Sequence, residues 1–499
     1  MKILCLGNNT EDTDVKTCDL AKVNLTVCHG LLSELDGTVV KIIQKGWYHS
    51  SVYDIEYGRL IELSSNFDSV IMLDQSKEQY THPDAFYKTV RLVKNLPNGK
   101  FLDASYTTNI NFFEDLVKTN KSFCIFPFIE LLTNQRSDGY TTLCCRSTEP
   151  VAHISEITDW KTNEHYTRIR NYMIKGTQLP KHCSSCYKIE NKNILSPREQ
   201  ETVEWANRLN LTSLEDLGAI SYPVYYEIRP SNICNLQCRM CSPSSSHLIG
   251  REYKKINLID KIPTPERSDF SIINFNNLKK LYVAGGEPTA MIKFYEFLDQ
   301  CIQNKQTDFE FVVNTNGTKL NNRFKKQLKQ FSNFQFIVSV DGIGSINTYI
   351  RWPSQWENII ENIHYLRKNN HVVSFNTTVS IYNILNLYEL LEFFDNEFPG
   401  ILVHAQLAVS DEDILSGLRF PNAELAYFKL LPIQQLNCYK NDPLLKSFID
   451  AIITHYQSSP KPDLIKLAEF FKFNDALDKS RSVLLNDYIP ELEMARKLL

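Results

Sequence analysis

Three cysteines within eight residues constrain this chain more than any other feature. Cys234, Cys238 and Cys241 lie in the segment SNICNLQCRMC with the spacing C-x3-C-x2-C. Thiolates this close on one loop can converge on one metal centre. A structural zinc site uses four ligands, and the nearest further candidate is His247. Three cysteines suit a cubane iron–sulfur cluster with one iron open to a small molecule, while a zinc knuckle completed by a distant ligand remains the alternative.

Length and charge exclude several classes of protein. A chain of 499 residues predicts about three domains. Lys plus Arg number 54 against 58 Asp plus Glu, a net charge of −4, which disfavours a broadly basic nucleic-acid binder. No apolar run reaches the roughly 18 residues that cross a bilayer, and the N-terminus MKILCLG lacks a cleavage site after it. With an odd count of 13 cysteines, this predicts a cytoplasmic protein with free thiols.

Strand and helix patterns alternate on both sides of the cysteine loop, which is typical of βαβ units and a parallel sheet. Predicted strands cover residues 225–229, 278–284, 309–313, 334–340, 372–379 and 401–407. Predicted helices cover residues 289–304, 356–368 and 385–394. The carboxyl ends of such strands form one face. We therefore expect Cys234, Glu287, Asn316 and Asp341 to converge there.

Short polar motifs follow three of these strands. Gly285 and Gly286 lack a Cβ and let the backbone approach a ligand closely, while Glu287 offers a carboxylate to a ligand ammonium. Asn314-Thr315-Asn316-Gly317 and Ser339-Val340-Asp341-Gly342 follow the next two strands. Asn-Gly and Asp-Gly are also common turn pairs, so a plain strand-to-turn junction is the alternative for both segments.

C-x3-C-x2-C after a strand resembles the radical S-adenosylmethionine (SAM) superfamily. The resemblance implies a partial (β/α)6 TIM-like barrel in which the three cysteines hold a [4Fe–4S] cluster and SAM chelates the open iron. It also implies SAM contacts from the motifs after the strands, including the ribose hydroxyls. Met240 stands where the family often has an aromatic residue, and it can pack similarly near the adenine. The SAM-binding residues so implied are Gly285, Gly286, Glu287, Asn314, Asn316, Ser339, Asp341 and Met240.

A second cysteine group precedes the barrel. Cys124 is followed by fourteen residues, a glycine, four residues and Cys144, and Cys183-x2-Cys186 comes later. This is similar to the cluster-binding half-domain of SPASM/twitch type, placed here before the barrel. The resemblance implies an auxiliary [4Fe–4S] cluster on these four cysteines, with Cys145 as a spare thiol or an alternative ligand. A zinc ribbon formed by Cys144 and Cys145 with Cys183 and Cys186 is the alternative.

These features divide the chain into four predicted regions. Residues 1–120 form a small α/β domain of Rossmann-like character, with strands at 3–6 and 69–73 and a helix at 84–96, but without a G-x-G-x-x-G motif for a dinucleotide. Residues 121–200 form the twitch-like domain, 221–410 the barrel, and 411–499 a helical region that packs on the barrel or clamps substrate. The remaining cysteines are expected to be small buried hydrophobes: Cys5, Cys18, Cys28, Cys301 and Cys438.

The resemblance implies a radical SAM enzyme. It would cleave SAM reductively to a 5′-deoxyadenosyl radical and abstract a hydrogen atom from a peptide or protein side chain, with electrons from a donor such as flavodoxin or ferredoxin. The alternatives are a small-molecule substrate, such as a sugar, nucleotide or cofactor precursor, and a non-catalytic metal-binding scaffold for protein or nucleic acid. Candidate inward-facing residues are Tyr282, Asn376, Thr378 and Gln406.

Overall fold

The structure is a computed structural model that describes residues 107–133, 139–147, 149–191, 196–263, 270–408 and 413–499, and five earlier strands by their backbone. The predicted helix at 84–96 and Cys28 lie outside the described residues. Two units divide the chain. The first comprises Met1–Leu131, Thr142–Ala152 and Glu156–Pro223, and the second comprises Leu132–Thr141, His153–Ser155 and Val224–Leu499.

The first unit contains a five-stranded sheet. Its strands are β1 (Lys2–Leu6), β2 (Lys16–Cys18), β3 (Val39–Ile43), β4 (Ser69–Leu73) and β5 (Gly99–Leu102), in the order β2-β3-β1-β4-β5. All neighbours pair in parallel except β2, which pairs antiparallel with β3. The strands predicted at 3–6 and 69–73 are confirmed as β1 and β4. A mostly parallel sheet agrees with the expected α/β class for this region.

The described part of the first unit also contains six α-helices. They are α1 (Thr107–Thr119), α2 (Phe126–Ile129), α3 (Glu164–Ile174), α4 (Pro180–Glu190), α5 (Pro197–Arg208) and α6 (Leu214–Gly218). A capping box begins α5: the Ser196 hydroxyl accepts from the Glu199 N–H, and the Glu199 carboxylate accepts from the Ser196 N–H. This pair satisfies two backbone donors at the start of the helix and fixes where α5 begins.

The larger sheet has eight strands in the order β13-β12-β11-β10-β9-β8-β6-β7. They are β6 (Glu130–Thr133), β7 (Thr141–Thr142), β8 (Tyr225–Ile228), β9 (Lys280–Val283), β10 (Glu310–Thr315), β11 (Asn333–Ser339), β12 (Val372–Val379) and β13 (Val403–Leu407). From β8 to β13 each strand pairs in parallel with the next along the chain. All six predicted strands are therefore present, and their consecutive order places every carboxyl end at one edge of the sheet.

Most helices of the second unit connect these strands or follow them. They are α7 (His247–Lys255), α8 (Ile292–Gln303), α9 (Asn322–Leu328), α10 (Gly344–Ile350), α11 (Trp356–Lys368), α12 (Leu387–Glu397), α13 (Ala423–Leu430), α14 (Asn437–Asn441), α15 (Pro443–Gln457), α16 (Leu464–Arg481) and α17 (Pro490–Met494). The predicted helix at 356–368 has the predicted bounds, and the helices at 289–304 and 385–394 are confirmed with shifted ends. Residues 413–499 are helical as expected. None of the helices in the described residues is long and apolar enough to span a membrane.

Buried and partly exposed side chains alternate along the strands, and this pattern explains how the sheet packs. In β11, Phe334, Phe336 and Val338 are buried, while the residues between them are partly exposed on the opposite face. Phe334 stacks on Phe311 of β10 with 4.5 Å between ring centroids, and Phe311 lies edge-on to Phe294 of α8 at 6.1 Å. One face of the sheet is thus filled by aromatic rings beneath the helices.

The isolated cysteines of this unit behave as predicted. Cys301 in α8 is 1% exposed and Cys438 in α14 is 8% exposed, so both are small hydrophobes in the core.

Candidate cluster and cofactor site

The cysteine loop directly follows β8 and is held by backbone hydrogen bonds. The Gln237 N–H donates to the Trp352 carbonyl at 2.5 Å, and the Arg239 N–H donates to the Ile350 carbonyl at 2.8 Å. The Cys234 N–H donates to Nδ1 of His247 at 3.2 Å. His247, the possible fourth ligand of the zinc alternative, therefore has its Nδ1 engaged by the loop backbone.

Burial makes the thiolate form of the three loop cysteines unfavourable. Burial, with the nearby Cys238 and Glu287, raises the pKa of Cys234 to about 12. The pKa values of Cys238 and Cys241 are also raised, again mainly by burial. These mutual effects place the three thiols within electrostatic reach of one another. Thiolates in this setting need nearby positive charge, which an iron–sulfur centre supplies.

The sequence did not predict a partly buried arginine, Arg351, that acts on the thiols. Arg351 lowers the pKa values of Cys234, Cys238 and Cys241, so its positive charge lies within electrostatic range of all three thiols. Burial works to lower the pKa of Arg351 itself, but Cys238 and Asp341 raise it above its usual value. No spacing or motif marks this residue in the sequence.

The Gly-Gly-Glu segment after β9 packs on the cysteine loop. Gly286 has φ +37°, and a Cβ there would lie 2.1 Å from the Ile233 carbonyl oxygen. The same oxygen accepts a hydrogen bond of 2.7 Å from the Glu287 N–H. The close approach expected between these glycines and a ligand is therefore seen between Gly286 and the backbone of the cysteine loop.

Glu287 joins the ends of two neighbouring strands. Its carboxylate is 1% exposed. Oε1 accepts from the Thr289 N–H at 3.0 Å and from the hydroxyls of Thr289 and Thr315, each at 2.7 Å. Oε2 accepts from the Asn316 N–H at 2.6 Å. Most of the roughly four acceptor positions of this carboxylate are thus used within the chain.

Asn316 also contacts the cysteine loop. Its Nδ2 donates to Oδ1 of Asn235 at 3.0 Å, and its Oδ1 accepts from the Thr318 hydroxyl at 2.6 Å. The Asn235 amide in turn donates to the Thr318 hydroxyl at 2.8 Å. These contacts, with those of Glu287, bring three of the predicted post-strand segments together.

Asn314 lies inside β10 rather than after it, because the strand ends two residues later than predicted. Its Nδ2 donates to the Tyr282 hydroxyl at 2.9 Å, and its Oδ1 accepts from the Ser339 hydroxyl at 3.2 Å. Tyr282, Asn314 and Ser339 therefore share one face of the sheet. Asn376 is the registered partner of Ser339 on β12.

Asp341 is fully buried after β11. Its Oδ1 accepts from the Thr378 N–H at 2.7 Å, and its Oδ2 accepts from Nη1 of Arg351. Burial raises the pKa of Asp341, and Arg351 offsets part of that rise. Asp341 also raises the pKa of Cys238, so the segment after β11 interacts electrostatically with the cysteine loop. Met240, between Arg239 and Cys241, is partly buried.

The second cysteine group assembles within the first unit. Cys183 and Cys186 lie on α4, Cys124 precedes α2, and Cys144 follows β7. Burial and the nearby Cys183 and Cys186 raise the pKa of Cys124, while burial, Cys145 and Cys124 raise that of Cys144. Burial and Cys186 raise the pKa of Cys183 to about 11. The four predicted ligands are therefore electrostatically linked, and Cys145 is exposed.

This group also has a buried arginine beside it. Arg198 donates to both carboxylate oxygens of Glu190, at 2.8 and 3.0 Å, and to the Phe123 carbonyl at 2.5 Å. Its charge lowers the pKa values of Cys124 and Cys183. Both cysteine groups thus combine buried or partly buried thiols with an arginine, and thiolate sulfur is a ligand that suits iron–sulfur clusters and zinc. Among the described residues, no three His, Cys, Asp or Glu side chains are arranged to hold a single metal ion.

A protein-family model matches part of the second unit. Residues 228–394 match the family model of the Radical SAM superfamily. The radical SAM cyclopropyl synthase TigE of Paramaledivibacter caminithermalis is 26% identical over 179 residues, which cover 34% of this chain and 36% of that protein. The chain therefore spans little more than a third of the length of this curated relative.

Two solved structures have a low overall similarity. Streptococcus suis SuiB bound to S-adenosylmethionine is 17% identical with a TM-score of 0.30, covering 54% of this chain and 61% of that one. The protein anSMEcpe with bound AdoMet is 18% identical with a TM-score of 0.32, covering 45% of this chain and 57% of that one. The match to the family model, together with the curated relative, indicates that the chain carries a radical SAM superfamily domain at residues 228–394. This domain supports the prediction that the protein is an enzyme.

Proposed function

We propose that this chain is a radical SAM enzyme that reductively cleaves S-adenosylmethionine and abstracts a hydrogen atom from its substrate. The main support is that the cysteine loop, Glu287 and Asn316 are joined by hydrogen bonds inside the segment that matches the family model. A [4Fe–4S] cluster would supply the electron that cleaves SAM. The parallel order of β8 to β13 supports a partial (β/α)6 barrel around this site.

Within this proposal each group of residues has a task. Cys234, Cys238 and Cys241 hold the cluster, and the three motifs after β9, β10 and β11 bind SAM. Met240 packs near the adenine. Glu287 fixes the cysteine loop relative to β10 through the Ile233 and Asn316 hydrogen bonds.

We assign the cysteines of the first unit to an auxiliary [4Fe–4S] cluster in a twitch-like domain, with Cys124, Cys144, Cys183 and Cys186 as ligands. Their mutual effects on pKa support one shared centre. Four protein ligands leave no iron open, which favours electron transfer over substrate binding. Thiolate ligands require a reducing compartment, so we place the enzyme in the cytoplasm with flavodoxin or ferredoxin as electron donor.

The substrate is proposed to be a peptide or protein side chain. Uncharged hydroxyl and amide groups of Tyr282, Asn314, Ser339 and Asn376 share the polar face of the sheet. Such groups hydrogen-bond peptide amides, and they also bind the hydroxyls of a small molecule. A sugar, nucleotide or cofactor precursor is therefore the second candidate.

SAM cleavage by the anaerobically reconstituted and reduced chain tests the enzymatic proposal. We expect 5′-deoxyadenosine from the wild type and from Cys301→Ala, a control that removes a core thiol outside both groups, and none from Cys238→Ala. A wild type that binds iron but forms no 5′-deoxyadenosine would favour the non-catalytic scaffold instead.

Metal content tests the auxiliary cluster. Two cubane clusters correspond to about eight iron and eight sulfide per chain. We expect Cys183→Ala to lose about half of both, and Cys145→Ala, which removes an exposed thiol, to keep them. Zinc in the wild type that is lost from Cys183→Ala would refute the iron–sulfur assignment.

A further inference from the structure

Arg239 is an arginine inside the cysteine loop, and it is completely buried. Its neighbours in sequence are Cys238 and Met240, so it stands between the last two cysteines of the trio. The guanidinium lies 3.5 Å from the centroid of the Tyr349 ring, and Nε donates to the Tyr349 carbonyl at 2.9 Å. A buried charge of this kind is unfavourable without an anionic partner.

That partner comes from α16, more than two hundred residues further along the chain. Nη2 of Arg239 donates to Oδ1 of Asp478 at 2.5 Å, and Nη1 donates to Oδ1 of Asn474 at 2.8 Å. Asp478 and Asn474 are themselves buried, at 6% and 0% exposed. The Tyr349 hydroxyl donates to Asp478, 2.9 Å from its Oδ1. One acid of α16 thus holds the loop arginine and the tyrosine beneath it.

A second ion pair fastens the same helix near the loop. Arg481 donates to both carboxylate oxygens of Glu252 in α7, at 2.9 and 2.6 Å. Both side chains are less than a tenth exposed. Because α7 begins soon after Cys241, α16 is tied to the chain on both sides of the last cysteine.

Fixing Arg239 also fixes the cysteines beside it. Its N–H pairs with the Ile350 carbonyl at 2.8 Å, and the Cys241 N–H pairs with the Cys238 carbonyl at 3.0 Å. Backbone and side chain together leave this turn of the loop little freedom. Cys238 and Cys241 are therefore held in place by the chain itself.

We propose that Asp478 of α16 is a positioning residue which, through Arg239, holds Cys238 and Cys241 in the arrangement that a shared iron–sulfur cluster requires. This inference rests on the proposed function. It gives the C-terminal helical region a direct part in the cluster site, although α16 lies beyond residues 228–394 that match the family model.

The test compares two aspartates on one helix. Asp478→Asn keeps the side-chain shape but removes the charge that pairs with Arg239. Asp475→Asn is the matched control, because Asp475 lies one turn away and pairs with Arg496 at an exposed position, 53% accessible for the aspartate. Asp478→Glu retains the charge and is the conservative rescue.

Two readouts follow the cluster itself in the full-length reconstituted chain. The first is the rate at which iron is released to a ferrous chelator. It is measured with and without SAM, and only the kinetic phase that becomes slower when SAM is added is compared between variants. The second is the SAM-dependent change in the electron paramagnetic resonance spectrum of the reduced protein, normalised to bound iron. A merely structural defect would lower the iron content without changing the response per cluster. We expect Asp478→Asn to release iron on the order of tenfold faster and to lose part of the spectral response, with Asp478→Glu intermediate and Asp475→Asn like wild type.

Either of two results would overturn the inference alone: a wild-type release rate and spectrum in Asp478→Asn, or the same defect in Asp475→Asn. A wild type that takes up no cluster would instead overturn the proposed function, and this inference with it.

Discussion

Replacing Gly286 with alanine tests whether the Gly-Gly-Glu segment supports the cysteine loop. The new Cβ would lie 2.1 Å from the Ile233 carbonyl oxygen, well inside the 3.4 Å at which ordinary contact begins. Backbone must therefore move, and the oxygen that moves is the acceptor of the Glu287 N–H at 2.7 Å. The substitution should loosen the loop at its first cysteine.

The magnitude can be separated into two parts. Adding a side chain to a glycine with positive φ lowers the free energy of unfolding by about 1–2 kcal/mol. Overpacking lowers it by about a further 1–3 kcal/mol. The variant Gly344→Ala measures the cost of positive φ alone, because Gly344 has φ +54° and no atom lies within 4 Å of its Cβ position. The difference between Gly286→Ala and Gly344→Ala should then be about 1–3 kcal/mol, which is a factor of roughly 5 to 150.

Amide hydrogen exchange of the cluster-free chain measures this difference locally. We expect the amides of Gln237, Arg239 and Glu287, each bonded to a backbone carbonyl, to lose protection by that factor in Gly286→Ala. In Gly344→Ala these amides should stay close to wild type. Equal protection of the three amides in the two variants would refute the reasoning.

Three further predictions concern buried charges and a histidine. Arg198→Met leaves the Glu190 carboxylate without its cationic partner, so the thermal unfolding midpoint of the first unit should fall by the equivalent of about 3–5 kcal/mol of unfolding free energy; an unchanged midpoint would contradict it. Glu287→Gln places an amide donor among the hydroxyl and N–H donors of Thr315 and its neighbours, which should lower the midpoint of the second unit by about 1–3 kcal/mol. Burial lowers the pKa of His371 below 6.5, so the unfolded chain binds more protons and stability falls as the pH drops below about 6.5. His371→Gln should reduce that loss in urea unfolding, and an identical pH profile would refute it.

Sequence patterns located most of the second unit because its strands and helices carry strong periodic signals. The helix Trp356–Lys368 and the strand Val372–Val379 have the bounds that periodicity predicts. The end of β10 was placed too early, because the polar residues Asn314 and Thr315 look like a turn but continue the ladder with β11. The helix Gly344–Ile350 was missed, since glycine and β-branched residues give it weak intrinsic helix propensity.

For the site, spacing predicted which segments converge but not what they contact. Gly286 was expected to face a ligand, yet its neighbour is the Ile233 carbonyl. Glu287 was expected to offer a carboxylate, and that carboxylate already accepts four hydrogen bonds from the chain. A motif specifies residue types at the end of a strand. The register between strands decides which donors reach them, and no single segment encodes that register.

The charged residues near the cysteines were even harder to predict from sequence motifs than the contacts of Gly286 and Glu287. Three partly buried thiols with raised pKa values are poor ligands unless cations lie nearby, so the fold must bring positive charge to the loop. It does so with Arg351, whose charge lowers the pKa values of all three thiols, while the charge of Arg239 in the same loop is neutralised by Asp478. The first lies 110 residues beyond Cys241 and the second depends on a partner 239 residues away. The cysteine spacing therefore identifies the ligands, whereas the charge balance that lets them serve as ligands exists only in the folded chain.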